Sequence, residues 1–393
     1  MNTRAIVVGA GPIGLSAGVR LQQAGIQPVI LEAGPNVGHT IRDWAHVRVF
    51  TDWESVIDPA VVEVLKDAGW QAPPPGEFPK GGELVDQYLE PLGAILGDRV
   101  RFGHRVTAIT RQNRDKVVTE GREDLPFLVR AETADGVVEL TSEFVIDASG
   151  TWTTPNPMGA GGLPAIGEES VVNIRYGMPD VLGLDRSRYE GRRVLVVGAG
   201  HSAANVLLDL AELALETPET VPVWALRRPD AAKAYGAMEE DELPERGKVG
   251  LELRHRVEEG RIQLEADFRV ASVSESNGRP LVTGTGADGS ERTVAVDEIV
   301  VATGQRPDLS ITRELRLELD PWLEAPIRLA PLIDPNVHTC LTVPEHGVAQ
   351  LSHPESGFYT VGIKSYGRAP TFLMATGYKQ IESVVTAISA GEG

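Results

Sequence analysis

The 393-residue chain has a single cysteine, Cys340. One thiol excludes an internal disulfide and a Cys-x-x-Cys redox pair. No apolar run approaches the ~20 residues needed to cross a bilayer. An apolar strand is already under way at Ala5, which leaves no room before it for a signal or transit peptide, so a cytoplasmic location is expected. Cations are scarce: 37 Lys and Arg stand against 56 Asp and Glu, a net charge of −19. Nucleic acid and anionic membranes both require clustered cations, so neither is an expected partner. No spacing of His, Cys and Asp resembles a zinc site, and no metal is expected. Glycine, in contrast, is plentiful at 42 residues, and its most informative occurrences repeat.

A strand, a glycine turn and a helix occur twice. The first copy reads Ile6-Val7-Val8-Gly9-Ala10-Gly11-Pro12-Ile13-Gly14 and the second Val194-Leu195-Val196-Val197-Gly198-Ala199-Gly200-His201-Ser202-Ala203. A glycine-rich loop alone is a weak signal. Between a buried-type strand and a helix, with a second strand at the right distance, it marks a dinucleotide site. That second strand ends in an acid in the first copy, Glu32 followed by Ala33, and in two bases in the second, Arg227 and Arg228.

The repetition extends further. Arg105-Val106-Thr107-Ala108-Ile109 parallels Arg269-Val270-Ala271-Ser272-Val273, and each opens short alternating strands that read as an antiparallel meander. Both halves close on a strand that runs into glycine, at Ala148-Ser149-Gly150 and at Ala302-Thr303-Gly304. Thr153 to Gly167 is rich in Pro and Gly and reads as a linker. The expected fold is α/β: two Rossmann-like dinucleotide-binding domains, each with a meander, the second inserted in the first. The expected domains are an FAD-binding one over 1–160 and 304–393 and an NADPH-binding one over 168–303.

In the first site Gly9 permits the tight turn, Gly11 lets the backbone approach a pyrophosphate, and Gly14 lets helix pack on strand. Glu32 can accept hydrogen bonds from ribose hydroxyls and would repel a 2′-phosphate, which suits FAD or NAD. In the second site Ala203 replaces the third glycine. Arg227 is read as the counterpart of Glu32, and with Arg228 it suits a 2′-phosphate, hence NADPH. His201 is expected beside the pyrophosphate in a geometric role. Cys340, near His338 and His346, reads as a buried bystander before a soft-metal contact or a nucleophile. Trp53, Tyr366 and Phe372 are read as core aromatics first, with Trp44 the exception.

These motifs resemble the flavoproteins with two dinucleotide-binding domains, and within them the flavin-containing (class B-like) monooxygenases. The likeness is carried by Gly9 to Gly14 with Glu32, by Trp44 after Gly38, by Val197 to Ala203, and by Ala302-Thr303-Gly304 with Pro307-Asp308. The resemblance implies that the backbone of Val106 contacts the adenine of FAD. It also implies that Pro370, Thr371 and Phe372, at the start of the last helix, lie beside the isoalloxazine ring. Some relatives are encoded beside arsenic-resistance genes. Three family features are absent. Asn173 to Asp180 lacks the His of the monooxygenase fingerprint, Arg48 to Glu54 lacks the flavin-face Asn, and Val361-Gly362-Ile363-Lys364 replaces the late Gly-Asp pair of disulfide reductases.

The expected activity is that of an NADPH-dependent FAD monooxygenase. It would oxygenate a small soft nucleophile or carbonyl compound with O₂ through a flavin C4a-peroxide. Catalytic side chains are not identified, because the cofactor does the difficult step. The alternatives are an NAD(P)H-linked flavin reductase or dehydrogenase and an inactive FAD-binding sensor. A homodimer is compatible with all three.

Overall fold

The computed structural model describes residues 4–391. The chain begins with strand β1 (Arg4–Val8), helix α1 (Pro12–Gln23) and strand β2 (Gln27–Leu31). There follow β3 (Val100–Arg101), β4 (Arg105–Arg111), β5 (Phe127–Thr133), β6 (Gly136–Ser142) and β7 (Phe144–Asp147). After β8 (Ile174–Tyr176) the pattern restarts with β9 (Arg193–Val197), α2 (His201–Glu216), β10 (Val221–Ala225) and α3 (Pro244–Glu258). It continues through β11 (Gln263–Glu265), β12 (Arg269–Ser276), β13 (Arg279–Thr285), β14 (Glu291–Ala295) and β15 (Glu298–Val301), then β16 (Phe358–Thr360) and α4 (Met374–Ala390).

Two compact units result, one of residues 1–154 with 306–393 and one of residues 155–305. The first has a parallel five-stranded sheet in the order β16-β7-β1-β2-β3, and the second has one in the order β11-β10-β9-β15-β8. Each also carries an antiparallel meander, β4-β5-β6 and β12-β13-β14 respectively.

Period-2 alternation explains the layering. In β1, Ala5 and Val7 face the helices, packing in one core with Leu15 and Val19 of α1 and Ile381 and Val384 of α4. Ile6 and Val8 face the meander, in a second core with Ile109, Phe127 and Val129. The second unit repeats this. Val194 and Val196 share a core with Val206 and Leu210 of α2, while Leu195 and Val197 meet Val270, Val273 and Val282. Strands buried on both faces read as continuous apolar runs, as these do.

The first unit is assembled from two separate stretches of chain, and a buried ionic cluster ties them. Glu355 accepts from Arg111 Nε at 2.7 Å and Arg122 Nη2 at 2.9 Å, with all three side chains under 5 % exposed.

Candidate functional site

Both glycine turns lie at the carboxyl ends of parallel strands, where open α/β sheets bind ligands. In the first unit Val8 pairs with Leu31 on one side and Asp147 on the other, so the loops after β1, β2 and β7 converge. Gly9 turns at φ 98°, and its N–H donates to Leu31 O at 2.8 Å. A Cβ on Gly14 would fall 2.0 Å from the Gly9 carbonyl oxygen, so helix and turn touch only because this residue is glycine. A Cβ on Gly11 would meet no atom within 4 Å. That open space lies at the first turn of α1, where Pro12 and Ile13 begin a helix whose N-terminus has no side-chain cap. Uncapped N–H groups beside an open cradle are the chemistry a pyrophosphate needs.

Glu32, 8 % exposed, accepts from Ala10 N–H through Oε2 and Gly34 N–H through Oε1, both at 2.7 Å. It therefore braces the two loops, and each oxygen keeps a lone pair for a ribose hydroxyl. Ala33 is exposed beside it. In the same loop the buried Oδ1 of Asn36 has no hydrogen-bond partner, a further opening for a ligand donor. Ala148 N–H donates to Val8 O at 3.0 Å, and the chain turns at Gly150 with φ 74°. Val106 sits at a register break in the β4–β5 ladder, between Val106 and Ala108. A bulge there presents backbone that the ladder does not use.

Trp44 is half-buried against Trp152, with ring centroids 6.4 Å apart, and Trp152 Nε1 donates to Asp43 Oδ2 at 2.8 Å. Before α4, Pro370 is exposed, while Thr371 is buried and donates to Ile333 O at 3.4 Å. Phe372 stands edge-on to Tyr366, centroids 5.2 Å apart. Tyr366 and Trp53 are core residues, at 0 % and 3 % exposure. Cys340 is half-buried, its Sγ 3.9 Å from Pro370 O. Among the described residues no cluster of His, Cys, Asp and Glu is placed to hold a metal ion.

Sequence reasoning missed a charged network in this unit. Buried Lys364 donates to Ser149 Oγ at 2.9 Å and pairs with Asp147 Oδ2 at 2.7 Å, while Ser149 Oγ donates to Asp147 Oδ1 at 2.7 Å. It ties the end of β7 to the turn after β16. Lys364 is separated from Asp147 by more than half the chain, so no local pattern announces the pair. Trp152 does carry a positional signal in the sequence, two residues after the closing Gly150.

The second unit repeats the geometry with different side chains. A Cβ on Gly200 would again meet no atom within 4 Å, and α2 likewise starts without a side-chain cap. Ala203 is fully buried, and Ser202 is half-buried. Gly198 approaches Ala302 so closely that a Cβ would lie 2.3 Å from the Ala302 carbonyl oxygen. Thr303 Oγ1 donates to Asn156 O at 2.7 Å, and Gly304 turns at φ 86°. His201 opens α2. Burial and then the Arg246 guanidinium push its pKa down, with Asp241 opposing, so the imidazole is neutral at pH 7 and fits a geometric role.

The strand register corrects one equivalence. Val8 pairs with Leu31 as Val197 pairs with Ala225. Glu32 N–H donates to Arg101 O as Leu226 N–H donates to Glu265 O, both at 2.9 Å. The counterpart of Glu32 is therefore Leu226, and Arg227 matches Ala33. Charge type at the strand end points one residue too far along the chain. Leu226 is buried, whereas Arg227 and Arg228 are exposed. The stretch read as a linker is also different in kind. Residues 158–168 form a loop hydrogen-bonded to β12 within the second unit, through Ala160 N–H to Val270 O and Ile166 N–H to Ala271 O.

The chain is 27 % identical over 227 residues to senecionine N-oxygenase of Tyria jacobaeae, covering 54 % of this chain and 45 % of that protein. It thus spans less than half the length of that relative. It is 26 % identical over 321 residues to ferredoxin–NADP reductase 2 of Cupriavidus metallidurans, covering 80 % of this chain and 70 % of that one. Its fold matches the bacillithiol disulfide reductase of Bacillus cereus over the full length of both chains, with a TM-score of 0.75 at 19 % identity. The family profile described as pyridine nucleotide-disulphide oxidoreductase matches residues 6–327. With more than half its length matched, the chain belongs to the pyridine nucleotide-disulphide oxidoreductase family.

Proposed function

We propose that the chain is an NADPH-dependent FAD monooxygenase acting on a small soft nucleophile or a carbonyl compound. The observation that carries this reading is the contrast between two open glycine cradles, one bordered by Glu32 and the other by Leu226, Arg227 and Arg228. A buried carboxylate suits an unphosphorylated ribose. An apolar residue followed by two exposed guanidinium groups suits a 2′-phosphate. FAD occupies the first cradle and NADPH the second. When bound, the flavin supplies hydride acceptance and O₂ activation.

The chain's own residues bind and orient. Gly11 and the start of α1 receive the FAD pyrophosphate, Glu32 the adenosine ribose, and the backbone at Val106 the adenine. Pro370, Thr371 and Phe372 lie on the flavin side, where the uncapped N-terminus of α4 favours negative charge on the reduced ring. Gly200, His201, Ser202 and Ala203 receive the NADPH pyrophosphate. Ala148, Ser149 and Gly150 border the first site, and Ala302, Thr303 and Gly304 the second. The N-oxygenase relative supports oxygenation.

A reductase reading is favoured by one observation: the ferredoxin–NADP reductase relative is matched over 80 % of this chain, against 54 % for the N-oxygenase. The single cysteine leaves no Cys-x-x-Cys pair for disulfide reduction. Simultaneous recording of NADPH consumption, O₂ uptake and product from thioether, amine and ketone probes separates the two. Monooxygenation predicts equal NADPH and O₂ consumption with oxygenated product. Rapid electron transfer to a quinone-like acceptor with no oxygenated product establishes the reductase.

A further inference from the structure

We propose that Glu168 is a positioning residue for coenzyme choice. It locks the loop of residues 158–168 so that the Ala160 carbonyl holds Arg227 ready for a 2′-phosphorylated adenine nucleotide. This rests on the reading of the second unit as the NADPH site.

Glu168 is 4 % exposed, and its carboxylate gathers three donors. Oε1 accepts from Met158 N–H at 2.9 Å and from the Tyr176 hydroxyl at 2.5 Å, and Oε2 accepts from Ala165 N–H at 2.6 Å. Only a carboxylate offers acceptors on both sides. An amide would turn its own N–H groups toward one of the donors. Burial, and then the Glu168 carboxylate, keep the Tyr176 phenol protonated, so it remains a donor.

The loop so closed is pinned to β12 at its register break, between Val270 and Ser272. Ala160 N–H donates to Val270 O at 3.1 Å, Ile166 N–H to Ala271 O at 3.0 Å, and Val273 N–H returns to Ile166 O at 2.8 Å. Gly167 makes this approach at φ 86°, where a Cβ would lie 2.1 Å from Val273 O. The corresponding break in the first unit is at Val106, the position assigned to adenine. In the second unit the loop takes that backbone instead, which brings its wall to the nucleotide end of the sheet. From this wall the Ala160 carbonyl accepts Arg227 Nη1 at 3.4 Å. An exposed arginine otherwise samples many rotamers, and a tether limits that freedom before the phosphate arrives.

The test is calorimetric titration of the FAD-loaded full chain with 2′,5′-ADP and 5′-AMP, which differ only in the 2′-phosphate. For Glu168→Gln we expect affinity for 2′,5′-ADP to fall about tenfold and that for 5′-AMP to change less than about twofold, as lost preorganisation predicts. Tyr176→Phe removes one of the three donors and keeps the carboxylate, so it serves if Glu168→Gln does not fold. Its expected loss is about threefold, again confined to 2′,5′-ADP. In an Arg227→Ala background Glu168→Gln should cause no further loss, because the two act through one contact. Equal weakening of both nucleotides, or no change in their ratio while Arg227→Ala lowers it, overturns the proposal and leaves the NADPH reading intact. An unchanged ratio on replacing both Arg227 and Arg228 overturns the NADPH reading itself.

Discussion

The two units solve one structural problem by different means. In the first, Glu32 holds the glycine turn through Ala10 N–H and spans to Gly34 N–H. In the second, Leu226 sits at that place and can do neither. There the Trp224 indole N–H, on β10, donates to Gly198 O at 2.7 Å and braces the turn from the neighbouring strand. Moving the brace frees the strand end from a carboxylate that would repel a phosphate. The third glycine shows the same division. A Cβ on Gly14 would collide with the Gly9 carbonyl, whereas the second unit holds the fully buried methyl group of Ala203 at the corresponding position. The scaffold constrains backbone geometry, and the side chains around it are free to encode the charge of the ligand.

Substituting the same position in each unit gives the largest expected contrast. Gly11→Val and Gly200→Val both start a branched side chain from a Cβ that meets no protein atom within 4 Å, so folding is expected to survive and the ligand to be excluded. Gly11→Val should yield colourless protein with no NADPH oxidation. Gly200→Val should stay yellow and fail to be reduced by NADPH. A full flavin spectrum in Gly11→Val would break the assignment of the first cradle.

The next effect concerns assembly. Only the first unit joins two distant stretches of chain, through Glu355 with Arg111 and Arg122. Glu355→Ala leaves two buried guanidinium groups uncompensated and should destabilise that unit by about 3–5 kcal/mol in denaturant melts. Burial alone would raise the Glu355 pKa, but Arg111, the Arg316 N–H and Arg122 hold it below the usual carboxylate value. A depressed carboxyl stabilises above its unfolded pKa, and that contribution is lost as pH falls through the folded value. Flavin release on acidification should accordingly begin at higher pH in Glu355→Gln than in the parent. Coincident release curves would deny the cluster this role.

Smaller effects sharpen the ligand side. Replacing Arg227 and Arg228 by Ala should raise the NADPH KM more than about tenfold and leave NADH nearly unchanged, the scale of charge-assisted contacts. Equal use of both coenzymes by the parent would remove the distinction between the units. Smallest is Ala203→Gly, expected to cost about 1 kcal/mol of stability from helix propensity alone, with coenzyme affinity unaltered. A large affinity change there would mean that the Ala203 methyl group, and not only its backbone N–H, meets the ligand.

Sequence made the repeated scaffold visible because its signals are local: glycine at tight turns, apolar runs in doubly buried strands, alternating meander strands. Glu32 was legible for the same reason. Arg227 lies one position past the true counterpart of Glu32 because strand ends are defined by hydrogen bonds, and the bond from Leu226 N–H to Glu265 O leaves no trace in residue type. Glu168 carries no signal in the sequence, since two of its three donors are backbone N–H groups that any sequence supplies. Lys364 and Glu355 were hidden by distance along the chain, as their partners Asp147, Arg111 and Arg122 lie more than 200 residues away. Local chemistry is readable from order. Buried charge pairing is readable only from the folded chain.

The most direct test is anaerobic stopped-flow reduction of the yellow protein by NADPH and by NADH. The two-cradle account predicts flavin bleaching that saturates at much lower NADPH than NADH, with the difference abolished when Arg227 and Arg228 are replaced. Bleaching with the same concentration dependence for both coenzymes, or none with either, would contradict it.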